Sequence, residues 1–217
     1  NKRIILLFLF FLLSEIIRSE WVLGFPWGLI SAIWINTPIS QSLSLFGPYW
    51  LSATTILAGF LLSRPISGTF LGFVIIVTLF IFGHFRLELP PIERTNPVKL
   101  RVVQPNIEQT EKWKPELAST FLNKHIQLSK SAKANGVDLI IWPETAIAYE
   151  IDKERKLRDF LSEDLAVPLV LGARRYERDS NRLYNSAFLL IKNGKINGIY
   201  DKNRLVPFGE YVPFSYL

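Results

Sequence analysis

Ile140-Ile141-Trp142-Pro143-Glu144-Thr145-Ala146 is a short apolar run that meets a proline and ends on a carboxylate. The run predicts a buried strand over Val137 to Trp142, and the proline stops it. Glu144, at the mouth of such a strand, is expected to be partly withdrawn from water, a setting in which a carboxylate serves as a proton acceptor. Taken alone it also reads as a helix cap or a solvated loop charge. A second stretch, Tyr200-Asp201-Lys202-Asn203-Arg204-Leu205-Val206-Pro207-Phe208-Gly209-Glu210-Tyr211-Val212-Pro213, sets charges among aromatics and prolines, as a shaped and rigid loop requires. Lys202 follows a strand candidate and is expected to project into the cleft that Glu144 enters. A Glu and a Lys converging without a His suggest acyl chemistry, with the Glu moving protons and the Lys steadying an oxyanion.

Around these two stretches the periodicity is that of an α/β domain. Leu100 to Gln104, Val137 to Trp142 and Pro168 to Gly172 read as strands, and Pro115 to Asn135 and Asp152 to Leu165 as helices. Tyr184 to Ile191 and Lys195 to Tyr200 flank Asn193-Gly194, a hairpin signal. Strands alternating with helices favour a layered α/β fold over an all-β one.

Upstream the chain changes character. No charged residue lies between Glu20 and Arg64. Ile4 to Leu13 is wholly apolar behind Lys2 and Arg3, and no small-residue cleavage site follows, so a membrane helix is preferred to a signal peptide. Leu43 to Leu62 and Ile66 to Phe85 are each long enough to cross the hydrocarbon core. Trp21 to Ser42, rich in Trp, Gly and Pro, reads as interfacial or re-entrant. The expected organisation is therefore a transmembrane region over 1–87, with spans near 4–20, 43–62 and 66–85 and the irregular stretch over 21–42. A proline-rich linker over 88–98 and a domain over 99–217 follow. If Lys2, Arg3 and Arg64 are cytoplasmic, everything after the third span lies on the outer side.

The net charge of +6 comes from charges interspersed in sign, with no basic block of the kind a nucleic-acid partner needs. There is no cysteine, which excludes disulfides, thiolate metal sites and a cysteine nucleophile within these residues. His84 and His125 are too far apart to form a local ligand pair, so no metal is expected. No cofactor is implied. The absence of any methionine, even at position 1, suggests an internal piece of a longer protein.

Together these residues resemble the apolipoprotein N-acyltransferases, membrane-bound members of the nitrilase (carbon-nitrogen hydrolase) superfamily. The resemblance is carried by Glu15-Ile16-Ile17-Arg18 with Gly24-Phe25-Pro26-Trp27, by Val103-Gln104-Pro105-Asn106-Ile107 with Lys112-Trp113, by the Trp142-Pro143-Glu144 stretch, by Tyr184-Asn185-Ser186, and by Lys202 to Pro213. Trp-Pro-Glu alone points to the superfamily; the Lys202 stretch behind membrane spans is specific to the N-acyltransferases.

The resemblance implies a nitrilase-like αββα sandwich and a Glu, Lys and Cys catalytic set, with Glu144 as general base, Lys202 as the oxyanion-stabilising cation and Glu210 as a supporting acid. Trp113, Phe208, Tyr211 and Phe214 line an acyl path or simply pack, and Asn185 belongs to the same substrate-path group. The implied reaction moves an acyl chain from a phospholipid through an enzyme thioester to the N-terminal amine of the diacylglyceryl-cysteine of an apolipoprotein, on the outer (periplasmic) side of a bacterial inner membrane. In the family the nucleophilic cysteine lies beyond the Lys202 stretch, so the expectation is an incomplete sandwich with exposed apolar faces and a chain that does not turn over substrate by itself. Two other readings stand: a membrane-anchored nitrilase-type amidase, and a non-catalytic membrane remnant.

Overall fold

The computed structural model describes residues 2–22, 26–91, 95–130, 135–207 and 209–211. They fall into two compact units, one drawn from residues up to 91 together with 206–211, the other from 95–205.

In the first unit, helix α1 (Lys2–Ile16) runs into a π-helical turn (Ile17–Val22), and α2 (Leu43–Leu62) and α3 (Ile66–Glu88) follow. Two helical stretches, Pro38–Leu62 and Ile66–Glu88, are long and apolar enough to cross a membrane. At 1.5 Å per residue α3 is about 35 Å long, against a hydrocarbon core of about 30 Å. The span expected over 43–62 is not one continuous helix. Gly47 sits at φ 77° and ψ −179°, a conformation closed to residues with a Cβ, and Pro48 follows inside the helix without an N–H to donate.

The stretch expected to be re-entrant forms three 3-10 turns, Pro26–Gly28, Ile30–Trp34 and Pro38–Ser42. Such backbone leaves polar groups that apolar surroundings cannot satisfy, and neighbouring side chains take them up. The Ile30 N–H donates to Glu15 Oε2 at 2.7 Å, and the Ser31 N–H to Ser52 Oγ at 3.2 Å. Arg18 Nη2 donates to the Gly28 carbonyl and to Glu15 Oε1, both at 2.7 Å. Glu15 is 6% exposed, so this carboxylate ties α1 to the turns and, through Ser52, to α2. Gly83 on α3 meets the Pro38 turn so closely that a Cβ there would stand 1.8 Å from the Pro38 carbonyl oxygen.

The second unit is built on a five-stranded sheet of order β1 (Leu100–Val102), β2 (Leu139–Ile141), β3 (Leu169–Glu177), β4 (Arg182–Ile191) and β5 (Lys195–Asp201). The first three strands run parallel, and β4 and β5 are antiparallel to their neighbours. Parallel strands need crossovers, which α4 (Ala118–Ser129) and α5 (Arg155–Leu165) supply. Both helices share one core with a single face of the sheet: Ile126, Leu161 and Leu165 pack with Ile140, Leu169, Leu171, Phe188 and Leu190. Along β4 the period of two puts Ser186, Phe188 and Leu190 on this buried face and Asn185, Ala187 and Leu189 on the other. Among the described residues that second face is open, with Val102 72% exposed and Leu100 and Tyr200 also exposed.

The α/β architecture is the one expected, with shifted boundaries. The first helix opens as a 3-10 turn, Pro115–Leu117, and ends at Ser129, because Lys130 turns to an extended ψ of 153°. Residues 131–134 of its expected extent lie outside the described residues. The second helix begins at Arg155, three residues later than expected, and closes on Ala166 in the left-handed region at φ 54°. Strand β3 runs five residues past its expected end at Gly172, and pairs with β4 through a turn ending at Asn181, φ 52°. The Asn193-Gly194 hairpin forms as read, both residues at φ 60°, and its tip docks on α5, where Arg158 Nε donates to the Gly194 carbonyl at 3.0 Å.

Candidate active site

Glu144 is delivered by a break in the β2–β3 ladder. The two strands pair at Ile140↔Leu169 and Ile141↔Val170, and the ladder resumes at an isolated bridge, Ile147↔Ala173. Six steps of chain on one side thus face three on the other, and Trp142 to Ala146 must bulge outward. The bulge is pinned at both ends: the Gly172 N–H donates to the Pro143 carbonyl at 3.2 Å, and the Ala146 N–H to the Gly172 carbonyl at 2.8 Å. Thr145 adopts φ 45° at its crest. Trp142 anchors the base, buried with Nε1 donating to Ser129 Oγ at 2.8 Å and its ring 4.9 Å from that of His125. The bulge lifts the Glu144 side chain to 61% exposure, so the carboxylate is not withdrawn from water as the sequence led us to expect.

Lys202 is positioned by the strand before it. Its N–H donates to the Asn185 carbonyl at 2.8 Å, which carries the β4–β5 ladder one residue past Asp201. Asp201 fixes that end of the strand, accepting from Ser186 Oγ at 2.6 Å and from Arg175 Nη2 at 2.7 Å. The Arg175 hydrogen bond holds the Asp201 carboxyl below the usual carboxylate range, against the opposing effect of burial. From this anchored end Lys202 Nζ reaches Glu144 Oε1 at 3.1 Å, and the Asn185 side-chain amide donates to the same oxygen. Glu144, Asn185 and Lys202, with Val170, Ala187 and Tyr200, line a cavity of about 290 Å³ on the open face of the sheet.

Residues not singled out as site residues complete the surroundings. Lys112 Nζ donates to the Glu144 carbonyl at 3.0 Å; burial lowers its pKa and the Glu144 charge opposes that. Lys112 also lines a second cavity of about 230 Å³ with Gln104, Asn106 and His125. Burial lowers the His125 pKa, and its Nδ1 lies 2.7 Å from the Phe121 carbonyl. Lys112 could have been found from its place beside Trp113. Gly172 and Arg174 carry no local signal, since their roles depend on β3 lying beneath the bulge.

Trp113 is half open to solvent, with the Arg174 guanidinium 4.4 Å from its ring centroid. Glu210 belongs to the first unit, where its Oε2 accepts from the Val206 N–H at 2.8 Å and closes its own turn, and Tyr211 is exposed. Phe208 and Phe214 lie outside the described residues.

The profile of the carbon-nitrogen hydrolase family matches residues 99–217, more than half of the chain. The chain belongs to the carbon-nitrogen hydrolase family. The apolipoprotein N-acyltransferase N-terminal domain matches residues 1–61. The apolipoprotein N-acyltransferase of Geobacter metallireducens is 34% identical over 92% of this chain and 42% of its own length, and that of Brucella suis biovar 1 is 34% identical over 98% and 43%. The resemblance carried by the sequence motifs is thus borne out along nearly the whole chain, which spans less than half the length of these relatives. A carbon-nitrogen hydrolase from Helicobacter pylori G27 aligns with TM-score 0.40 and 18% identity, over 52% of this chain and 42% of its own.

Proposed function

We propose that this carbon-nitrogen hydrolase family member serves, as part of its full-length protein, in apolipoprotein N-acylation. It would transfer an acyl chain from a phospholipid to the N-terminal amine of a diacylglyceryl-cysteine. The observation that carries the reading is the Lys202 Nζ to Glu144 Oε1 contact of 3.1 Å, bridged by Asn185. Similarity to N-acyltransferases across both units supports it.

The chemistry follows from these groups. A thiol, from a residue outside these 217, loses its proton to Glu144 as its sulfur attacks the phospholipid ester carbon. A free thiol has a pKa of about 8.5, so a neighbouring base is needed to populate the nucleophile at neutral pH. The ester oxygen gains negative charge, which the Lys202 ammonium stabilises. As the tetrahedral centre collapses, the C–O bond to the glycerol breaks and Glu144 returns the proton to the leaving alkoxide, giving a lysophospholipid and a thioester. The acceptor amine then attacks the thioester carbon, Glu144 takes the amine proton, and the thiol is released. Asn185 holds the Glu144 carboxylate in place and Trp113 flanks the acyl path, while Glu210 and Tyr211 keep the supporting and substrate-path roles that the resemblance implies.

Both substrates are lipids, which accounts for two apolar helices in the same chain. With the N-terminal helical stretch crossing as a third span and Lys2, Arg3 and Arg64 cytoplasmic, the Glu144 unit lies on the outer side of the bacterial inner membrane.

The test is to supply the full-length protein with phospholipid vesicles and a diacylglyceryl lipopeptide and to follow lysophospholipid and acylated peptide by mass spectrometry. Glu144→Gln and Lys202→Ala should each abolish both products. Hydrolysis of a small amide without lysophospholipid release would replace this reading with the amidase one.

A further inference from the structure

Arg174 has no part in the scheme above. It lies on β3 directly opposite Asn185, on the open face of the sheet, and is exposed. Its neighbour Arg175, on the buried face, is paired with Asp201 and Glu177, and Lys202 is paired with Glu144. Among the described residues no carboxylate lies within salt-bridge distance of Arg174. Its guanidinium instead sits over the Trp113 ring at 4.4 Å. A guanidinium held against an indole face keeps N–H donors for bidentate recognition of an oxyanion.

The charge around it points the same way. Lys112 is bound to the Glu144 carbonyl, Lys202 to the Glu144 carboxylate, and Arg174 is the cross-strand partner of Asn185, which donates to that same carboxylate. Only Lys202 of these three cations engages the Glu144 carboxylate, which leaves the surroundings of the open cavity with more positive than negative charge. A local excess of positive charge at the mouth of a cleft raises the concentration of anions there.

We propose that Arg174 is a specificity-determining residue that binds the phosphate of the acyl donor's headgroup beside the Glu144–Lys202 pair. The inference rests on the acyl-transfer reading and adds to it the contact that selects a phosphate-bearing donor. The shared chemistry is a phosphate oxyanion, which a lipid headgroup and free inorganic phosphate both offer, so the experiment separates them.

Lysophospholipid release by the full-length protein is measured against phosphatidylglycerol concentration in mixed micelles, with and without inorganic phosphate, for the unmodified protein, Arg174→Gln and Arg174→Lys. One lost charge-assisted contact predicts a KM raised about tenfold or more in Arg174→Gln, with kcat within about twofold. Arg174→Lys, which keeps the charge without the planar fork, should fall between. Inorganic phosphate should compete with the lipid in the unmodified protein and lose that effect in Arg174→Gln. An unchanged KM, or a fall in kcat alone, overturns the assignment. Phosphate inhibition lost in Arg174→Gln with lipid KM unchanged makes this a free-phosphate site and overturns the headgroup. No release by the unmodified protein overturns the acyl-transfer reading, and the headgroup contact with it.

Discussion

Gly172 lies directly beneath Glu144. A methyl group on Gly172 would stand 2.7 Å from the Glu144 Cα, 2.5 Å from the Thr145 nitrogen and 2.6 Å from the Pro143 carbonyl oxygen. All three are backbone atoms, so no side chain can swing aside, and the bulge itself must move. Gly172→Ala is expected to leave the sheet folded and to displace the carboxylate by a fraction of an ångström or more. Misplacement on the scale of 1 Å costs roughly a hundredfold in rate. Lysophospholipid release by the full-length protein, read beside its circular dichroism, checks this; full activity would show that the bulge position is not limiting.

Asn185 donates to the same Glu144 oxygen as Lys202. Asn185→Ala removes a positioning contact but neither the proposed base nor the proposed cation. The expected loss is about tenfold in kcat, the scale of one hydrogen bond to a charged group, far short of the loss in Glu144→Gln. Equal losses in the two variants would mean that Asn185 touches the reacting atoms.

The Arg175–Asp201 pair makes stability depend on pH. The Asp201 carboxyl is held below its unfolded value, chiefly by the Arg175 hydrogen bond, so the unfolded state binds a proton first as pH falls. The stabilisation is therefore fully present above the unfolded value of about 3.9 and is lost as pH falls through the lower, folded value. Asp201 is partly exposed, and solvent screening limits the contribution to about 1–2 kcal/mol. Asp201→Asn should lower the unfolding midpoint at pH 7 and converge with the unmodified protein in strong acid. A difference that stays constant with pH would point to packing instead.

Glu15 presents the sharpest case in the apolar unit. Glu15→Ala would remove the acceptor of the Ile30 N–H and the carboxylate partner of Arg18, which keeps the Gly28 carbonyl, an expected loss of about 3 kcal/mol. Glu15→Gln keeps an oxygen for Ile30 and should cost clearly less. Thermal unfolding of the full-length protein in detergent measures both; equal stability of the alanine variant would show that the 3-10 turns are held by other contacts.

Much of the α/β unit was legible because its signals are local. An apolar run stopped by a proline gave β2, and Asn193-Gly194 gave the last hairpin. The extension of β3 was not legible, because Arg174, Arg175 and Glu177 look like a solvated loop until Asp201, twenty-six positions away, supplies the partner that lets Arg175 sit in a sheet. The Gly47-Pro48 break was visible as residue types and hidden by uniform apolarity, which reports membrane affinity and says nothing of backbone continuity. Glu144 and Lys202 could be nominated from sequence, but their contact across 58 positions depends on register. The exposure of Glu144 is not legible either, because a bulge that doubles the chain length between two ladder points leaves no mark in composition.

Strands β4 and β5 connect the candidate site to α5. Their tip is held at the Asn193-Gly194 end, where Arg155 and Arg158 of α5 grip the two carbonyls and where a Cβ on Gly194 would stand 2.5 Å from Asp159 Oδ1. Asn185 and Lys202 ride at the opposite end, roughly 20 Å away along the strand. Over that arm a tilt of only about 3° at the tip moves the far end by about 1 Å, the scale on which catalytic geometry is won or lost. The seat of the hairpin tip on α5, together with the β3–β4 ladder, therefore bears on how far Lys202 stands from Glu144.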